Sequence, residues 1–203
     1  MKHKLLSLMI IGLIASLTSL TVIMTGCNKI ENLSDSGTRL IIDLITGRDL
    51  NGEDGSTTVF SDVETLGSIF NDNAAATLRA ELINPGSLVN THYQDVIVDQ
   101  IDISYTRSDR PNGVEGKDVP YGFSQKVNFL VEVENSTEYG FVLIQQTAKL
   151  ESPLVELIYG GAEKVLKLEA NITFYGKDLA GRRVAPVKGS ISVWCANFAD
   201  EEQ

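Results

Sequence analysis

The stretch VLKLEANITFY, residues 165–175, decides the fold class. Leu166, Leu168, Ala170, Ile172 and Phe174 alternate with Lys167, Glu169, Asn171 and Thr173. A period of two places all the apolar side chains on one face of a strand and the polar ones on the other. Neighbouring segments repeat the pattern. Val127, Phe129, Val131 and Val133 alternate with Lys126, Asn128, Glu132 and Glu134, and Ile101, Ile103 and Tyr105 with Gln100, Asp102 and Ser104. In 187–197, Val187, Ile191, Val193 and Cys195 share a face. Such one-side-wet strands are those of an antiparallel sandwich. Tyr139–Leu150 is apolar on both faces and reads as a central strand.

Residues 38–46 and 57–64 add further candidates. Asn73–Ile83 (NAAATLRAELI) fits two readings. Its alanines and the capping residues Asp72 or Asn73 suit a helix, whereas Ala76, Leu78, Ala80 and Leu82 alternate as in a strand. The alternation favours strand. The expected fold is all-β, an immunoglobulin-like antiparallel β-sandwich of about seven or eight strands over residues 38–200. If the strands run alternately up and down, loops 106–119 and 151–164 share one end. The tight links 135–138 and 176–182 then share the other. Ser152-Pro153 ahead of LVELIY, with Gly160 after it, fits a short capped helix in the second long loop.

The ends of the chain carry an address. Lys2 and Lys4 precede the uncharged run Leu5–Met24, and Met24-Thr25-Gly26-Cys27 follows. That is the layout of a secretory signal. Its end resembles a bacterial lipobox, with Met24 where Leu is usual. The reading is a lipoprotein signal peptide over 1–26, acylation of Cys27, a flexible tether over 27–37 and an acidic tail at 201–203. An uncleaved transmembrane helix is the alternative, since twenty residues reach about 30 Å. Thr18, Ser19 and Thr21 make it a mediocre span, and it would have no use for Gly26-Cys27. Asn28, in place of the Asp that resembles an inner-membrane retention signal, points to the outer membrane. The membrane is thus one partner, through the lipid.

Composition narrows the chemistry. The 203 residues carry 17 Lys and Arg against 27 Asp and Glu, a formal net charge of −10. Phosphate contacts need clustered Lys and Arg, and none is seen, so nucleic acid is an unsuitable partner. Two Cys and two His leave no zinc set and, with Cys27 acylated, no intramolecular disulfide. No cofactor motif is present. His92 has Ser87 and Asp95 near it in sequence, without the elbow of a serine hydrolase. Cys195, on an apolar face, reads as a core residue. Asp49–Gly55 has the oxygen-rich flavour of a calcium loop but departs from the EF-hand spacing. Asp109, Glu115 and Asp118 are a second weak oxygen set.

Loop 106–119 (TRSDRPNGVEGKDV) exceeds the usual length of a hairpin connection. Long loops at one pole of a sandwich are its usual binding surface. Arg107, Arg110, Asn112, Lys117 and Asp118, with Tyr159 of the other loop, are the candidate partner-binding residues. The expected function is a lipid-anchored, non-catalytic binding or assembly module of the cell envelope, engaging an envelope protein or a glycan. A calcium-dependent surface adhesin and a carboxylate-based envelope hydrolase are the alternatives.

Several segments also carry a resemblance: FSDV at 60–63, NDNAAATLR at 71–79, DVPYGF at 118–123, AKLESPL at 148–154, TFYGKDLAGRRV at 173–184 and GSISVWCANFAD at 189–200. Together they resemble a family of uncharacterised lipoproteins of anaerobic, metal-reducing bacteria. The likeness implies a lipoprotein and a β-sandwich, and strand for 74–83. It implies no activity, cofactor or catalytic residue.

Overall fold

Alternation becomes structure over most of residues 38–196. A computed structural model describes residues 35–48, 55–84, 86, 92–160 and 164–198. The signal peptide, Cys27, most of the tether, Asp49–Asp54, Ser87 and the acidic tail lie outside the described residues. Ser36–Gln203 forms one unit and Met1–Asp35 another. Within the first of these, eight strands follow in order: β1 (Thr38–Arg48), β2 (Thr58–Asp62), β3 (Asp72–Leu82), β4 (Val96–Thr106), β5 (Phe123–Val131), β6 (Ser136–Ile144), β7 (Leu166–Asp178) and β8 (Arg183–Ala196). A single helical turn, α1 (Gln146–Lys149), follows β6.

The strands form two sheets packed as a sandwich. One has three strands, β1-β3-β6, and the other five, β2-β8-β7-β4-β5. The quoted stretch is β7, with Leu166, Leu168, Ala170, Ile172 and Phe174 all buried between the sheets. Phe174 meets Phe141 of the opposite sheet edge to face at 5.8 Å. Aromatic pairs favour this geometry because the positive ring edge meets the negative face.

The ambiguous segment is β3, a strand. Ala74, Ala75, Ala76, Leu78 and Ala80 are buried between β1 and β6. Alanine's helix propensity, worth under about 1 kcal/mol per residue, yields here to ladder pairing on both sides and burial of the Leu78 face.

Two expectations are corrected. The sandwich is not wholly antiparallel, because β2 pairs parallel with β8, Thr58 opposite Ser192 and Asp62 opposite Ala196. A period of two is the same in either pairing, so sequence alternation cannot tell them apart. Tyr139–Leu150 is not a central strand, because β6 is the edge of the three-stranded sheet. Tyr139, Phe141 and Leu143 share its inward face. Phe141 and Leu143 fill the core, Tyr139 stacks on Phe129 of β5 at 4.0 Å, and the chain then turns into α1. Gln125 caps the edge, donating to the Val142 carbonyl at 2.7 Å and accepting from its N–H at 3.1 Å.

The ladder registers define two poles. β4 leaves its sheet at Thr106, opposite Glu169, close to where β7 begins, so connections 107–122 and 145–165 lie at one end. At the other end Asp178 caps the β7–β8 turn, accepting from Arg182 N and from the Ser36 hydroxyl at 2.8 Å each. There also Thr38 donates to the Gln94 carbonyl, and buried Asp95 accepts from Val133 N. The chain therefore enters the domain, at Ser36, on the pole that carries the links 132–135 and 179–182 together with connection 83–95.

At the long-loop pole one buried ion pair joins the two sheets. Lys149 Nζ donates to Asp72 Oδ1 of β3 at 2.9 Å and to the Asp62 carbonyl of β2 at 2.6 Å. The Ser61 hydroxyl of β2 donates to Asp72 Oδ2 at 2.6 Å. Side-chain exposure is 2% for Lys149 and 16% for Asp72. Removing one partner of such a pair leaves an uncompensated buried charge, at a cost of about 3–5 kcal/mol. Asp72→Ala is therefore expected to lower unfolding free energy by about that much in urea titrations, whereas Asp72→Leu with Lys149→Met loses far less. Equal losses in the two proteins would show that shape, not charge pairing, holds this corner.

Candidate functional site

The loop-pole candidates are largely engaged with one another. Arg107 forks onto Asp109, Nε to Oδ1 at 2.9 Å and Nη2 to Oδ2 at 2.6 Å. Arg110 pairs with Asp118 Oδ1, and Val114 N donates to Asp118 Oδ2 at 3.0 Å. Asp118 is buried, and Val119 beside it is part of the core. The Val114 amide and the Arg110 guanidinium hold the Asp118 carboxyl below its usual range, and Arg107 does the same for Asp109. Gly116, at φ 74°, lies beneath the Tyr121 ring, where a Cβ would collide. The loop is thus a built turn. Its exposed members include Asn112, Lys117 and Arg110 at the rim, with Val114 and Tyr121 beside them.

Connection 145–165 is also packed. Leu154 and Leu157 plug the end of the core, the latter in a 3-10 turn, Val155–Leu157. Ser152 is not its cap; its hydroxyl donates to Glu156 Oε1 instead. Asn197 donates to the Ile158 carbonyl at 2.9 Å. Tyr159 stands 91% exposed. Among the described residues no hydrogen bond, ion pair or ring contact links Tyr159 to loop 106–119, so the two halves of the candidate set share a pole without touching.

The other candidates separate cleanly. His92 is almost wholly exposed, 3.4 Å from Asp95 Oδ2, a carboxylate already anchored by Val133 N. Cys195 is a core residue; burial pushes its thiol up to about 12. Trp194, on the opposite face, meets Phe60 edge to face at 5.7 Å and carries Lys167 Nζ 4.1 Å over its ring. Asp109, Glu115 and Asp118 each face a different partner, Arg107, Gly122 N and Arg110. Among the described residues no three His, Cys, Asp or Glu converge as metal ligands.

One concave site escaped the sequence reading. At the outer edge of β2 a cavity of about 200 Å³ opens beside the buried ion pair, floored by Lys149, Asp72 and Asp62 and walled by Phe60 and Phe70. Burial pushes the Asp72 carboxyl up, against the opposing pull of Lys149 and Ser61. The signal was available: Lys149 is the lone charge between Tyr139 and Leu150, an apolar run. No protein-family model and no curated sequence matches the chain.

Two measurements follow from these environments. Asp118 contributes stability that is complete above its ordinary value of 3.8 and is lost as pH falls through its lowered native value. Asp118→Asn should therefore flatten the acid limb of the stability curve, and an unchanged limb would place the acid sensitivity elsewhere. In a Cys27→Ser background, Cys195 should resist iodoacetamide at pH 8 until the domain unfolds, since the thiolate is the nucleophile. Rapid labelling of the folded protein would contradict its core placement.

Proposed function

We propose that the protein is a lipid-anchored β-sandwich of the cell envelope, acylated at Cys27, that works as a non-catalytic binding or assembly module. The observation that carries this reading is the polarity of the domain. The chain enters at Ser36, at the pole of the links 132–135 and 179–182 and of connection 83–95, while the two longest connections, 107–122 and 145–165, lie at the other pole. A tether on Cys27 then leaves the long-loop pole free to meet a partner. Multiple acyl chains, as the lipobox resemblance implies, anchor far more firmly than one. Outer-membrane placement rests on Asn28, and kinship with lipoproteins of metal-reducing bacteria on the quoted segments. An immunoglobulin-like architecture belongs to the same reading, supported by strand number.

The absence of a catalytic role is supported by the state of the reactive groups. Cys195 is sealed in the core, and the loop carboxylates Asp109 and Asp118 are already paired with arginines. Pairing also shifts the recognition role. Arg107, Arg110 and Asp118 shape the loop, whereas Asn112, Lys117 and Tyr159 are placed to touch a partner.

The reading is tested in intact cells by cross-linking and capture through a C-terminal tag. The anchored protein should recover a specific envelope protein that the Cys27→Ser form does not. Lys117→Glu with Tyr159→Ala should lower that recovery severalfold while leaving the melting temperature unchanged. Equal recovery with and without the anchor would remove the tethering mechanism, and a fall in melting temperature would make those two residues structural.

A further inference from the structure

The cavity beside β2 has a composition that selects its ligand. Its formal charges cancel, Arg48 and Lys149 against Asp62 and Asp72. Both cations are already paired, Lys149 with Asp72 and Arg48 with Glu138. An anion would find both cations already paired and its desolvation uncompensated, whereas the Asp62 carboxylate receives only neutral donors and stays open as an acceptor. What the site does offer is hydrogen-bonding capacity of both signs. Asn71 Oδ1 accepts from Gln146 N, and its amide protons have no partner among the described residues. The Asn73 side chain has none either. Lys149 has three N–H groups and uses two. The Asp62 oxygens each accept one bond, from Phe198 N and the Thr65 hydroxyl, and each retains a second lone pair.

Phe60 and Phe70 complete the site. They are 60% and 44% exposed, and Phe60 also meets Trp194 and Phe198 edge to face. The wall carrying Phe70 is held by a tight hairpin closed at Leu66 and Gly67, both with positive φ, where Thr65 and Ser68 bond each other. A non-glycine residue in that region is uncommon, and the surrounding structure must hold it there. The volume is room for about seven waters, which is close to one six-membered ring with its substituents.

We infer that this cavity binds an uncharged sugar residue, as a free monosaccharide or as the end of a glycan. Each sugar hydroxyl both donates and accepts, which matches the mixed amide, ammonium and carboxylate lining. The apolar C–H face of the ring suits the phenyl walls. This assignment deepens the binding-module reading and rests on it, but uses a surface distinct from Asn112, Lys117 and Tyr159.

The test is isothermal titration of the full chain with D-glucose, D-galactose, D-mannose and N-acetyl-D-glucosamine, and with their methyl glycosides. At least one sugar should bind saturably with Kd on the order of 1 mM. Phe70→Ala and Asn73→Ala should each weaken it at least about fivefold, while His92→Ala, at the opposite pole, leaves it unchanged. Equal affinity for the methyl glycoside identifies a glycan end; loss of binding to it identifies a free reducing sugar. No saturable binding up to about 50 mM, or binding untouched in both cavity variants with melting temperatures preserved, overturns the proposal. Capture of an envelope protein in cells can succeed or fail independently, so the two readings fall separately.

Discussion

A charged amine in a dry corner constrains the rest of this domain. Lys149 is almost fully buried, and a buried ammonium persists only when its charge is matched and its protons are taken up. Asp72 supplies the charge, and the Asp62 carbonyl accepts a second proton. Because Asp72 opens β3 and Asp62 closes β2, satisfying one lysine requires the two sheets to meet at a fixed separation. Ser61 extends the same network from β2 to Asp72, and Cys195 lies sealed behind it. The end of β2, the turn of α1 and the lining of the cavity all meet at that corner.

The opposite pole is closed by the same physics with reversed roles. Asp178 and Asp95 are buried carboxylates, and their oxygens receive backbone N–H groups, a hydroxyl and a guanidinium. Buried acceptors satisfied in this way make local turns rigid, since loosening any donor exposes a desolvated charge. Both ends of the sandwich are therefore stitched by polar groups, while the middle is held by apolar contact, with Phe174, Ile172 and Leu78 among its fully buried members. In the proposed role such a body acts as a rigid head on a tether, with recognition confined to side chains the stitching leaves over.

The long loops illustrate how length and mobility part company. Loop 106–119 is long by hairpin standards, yet Asp118 and Val119 are buried in it and its arginines are paired with its own carboxylates. Opposite charges a few residues apart, as in Arg107 and Asp109, satisfy each other before they meet any partner. Charge in a loop is a poor guide to recognition when the loop itself can neutralise it.

Strand content, the strand nature of β3 and the inward faces of β3, β4, β5, β7 and β8 were legible from residue order, because the alternation of side chains is a property of a single extended chain. The burial of Cys195 was legible for the same reason, from its neighbours Ile191 and Val193. Which strands become neighbours, whether they run parallel, and that β6 stands at an edge were not, because hydrogen-bonded pairing leaves no mark on the period of two. The cavity was illegible for a related reason: Arg48, Phe60, Asp72 and Lys149 are far apart in the chain. A lone lysine in an apolar run announces only an anomaly; what charge meets it, and what space opens beside the pair, are set by contacts between distant segments that only the folded chain brings together.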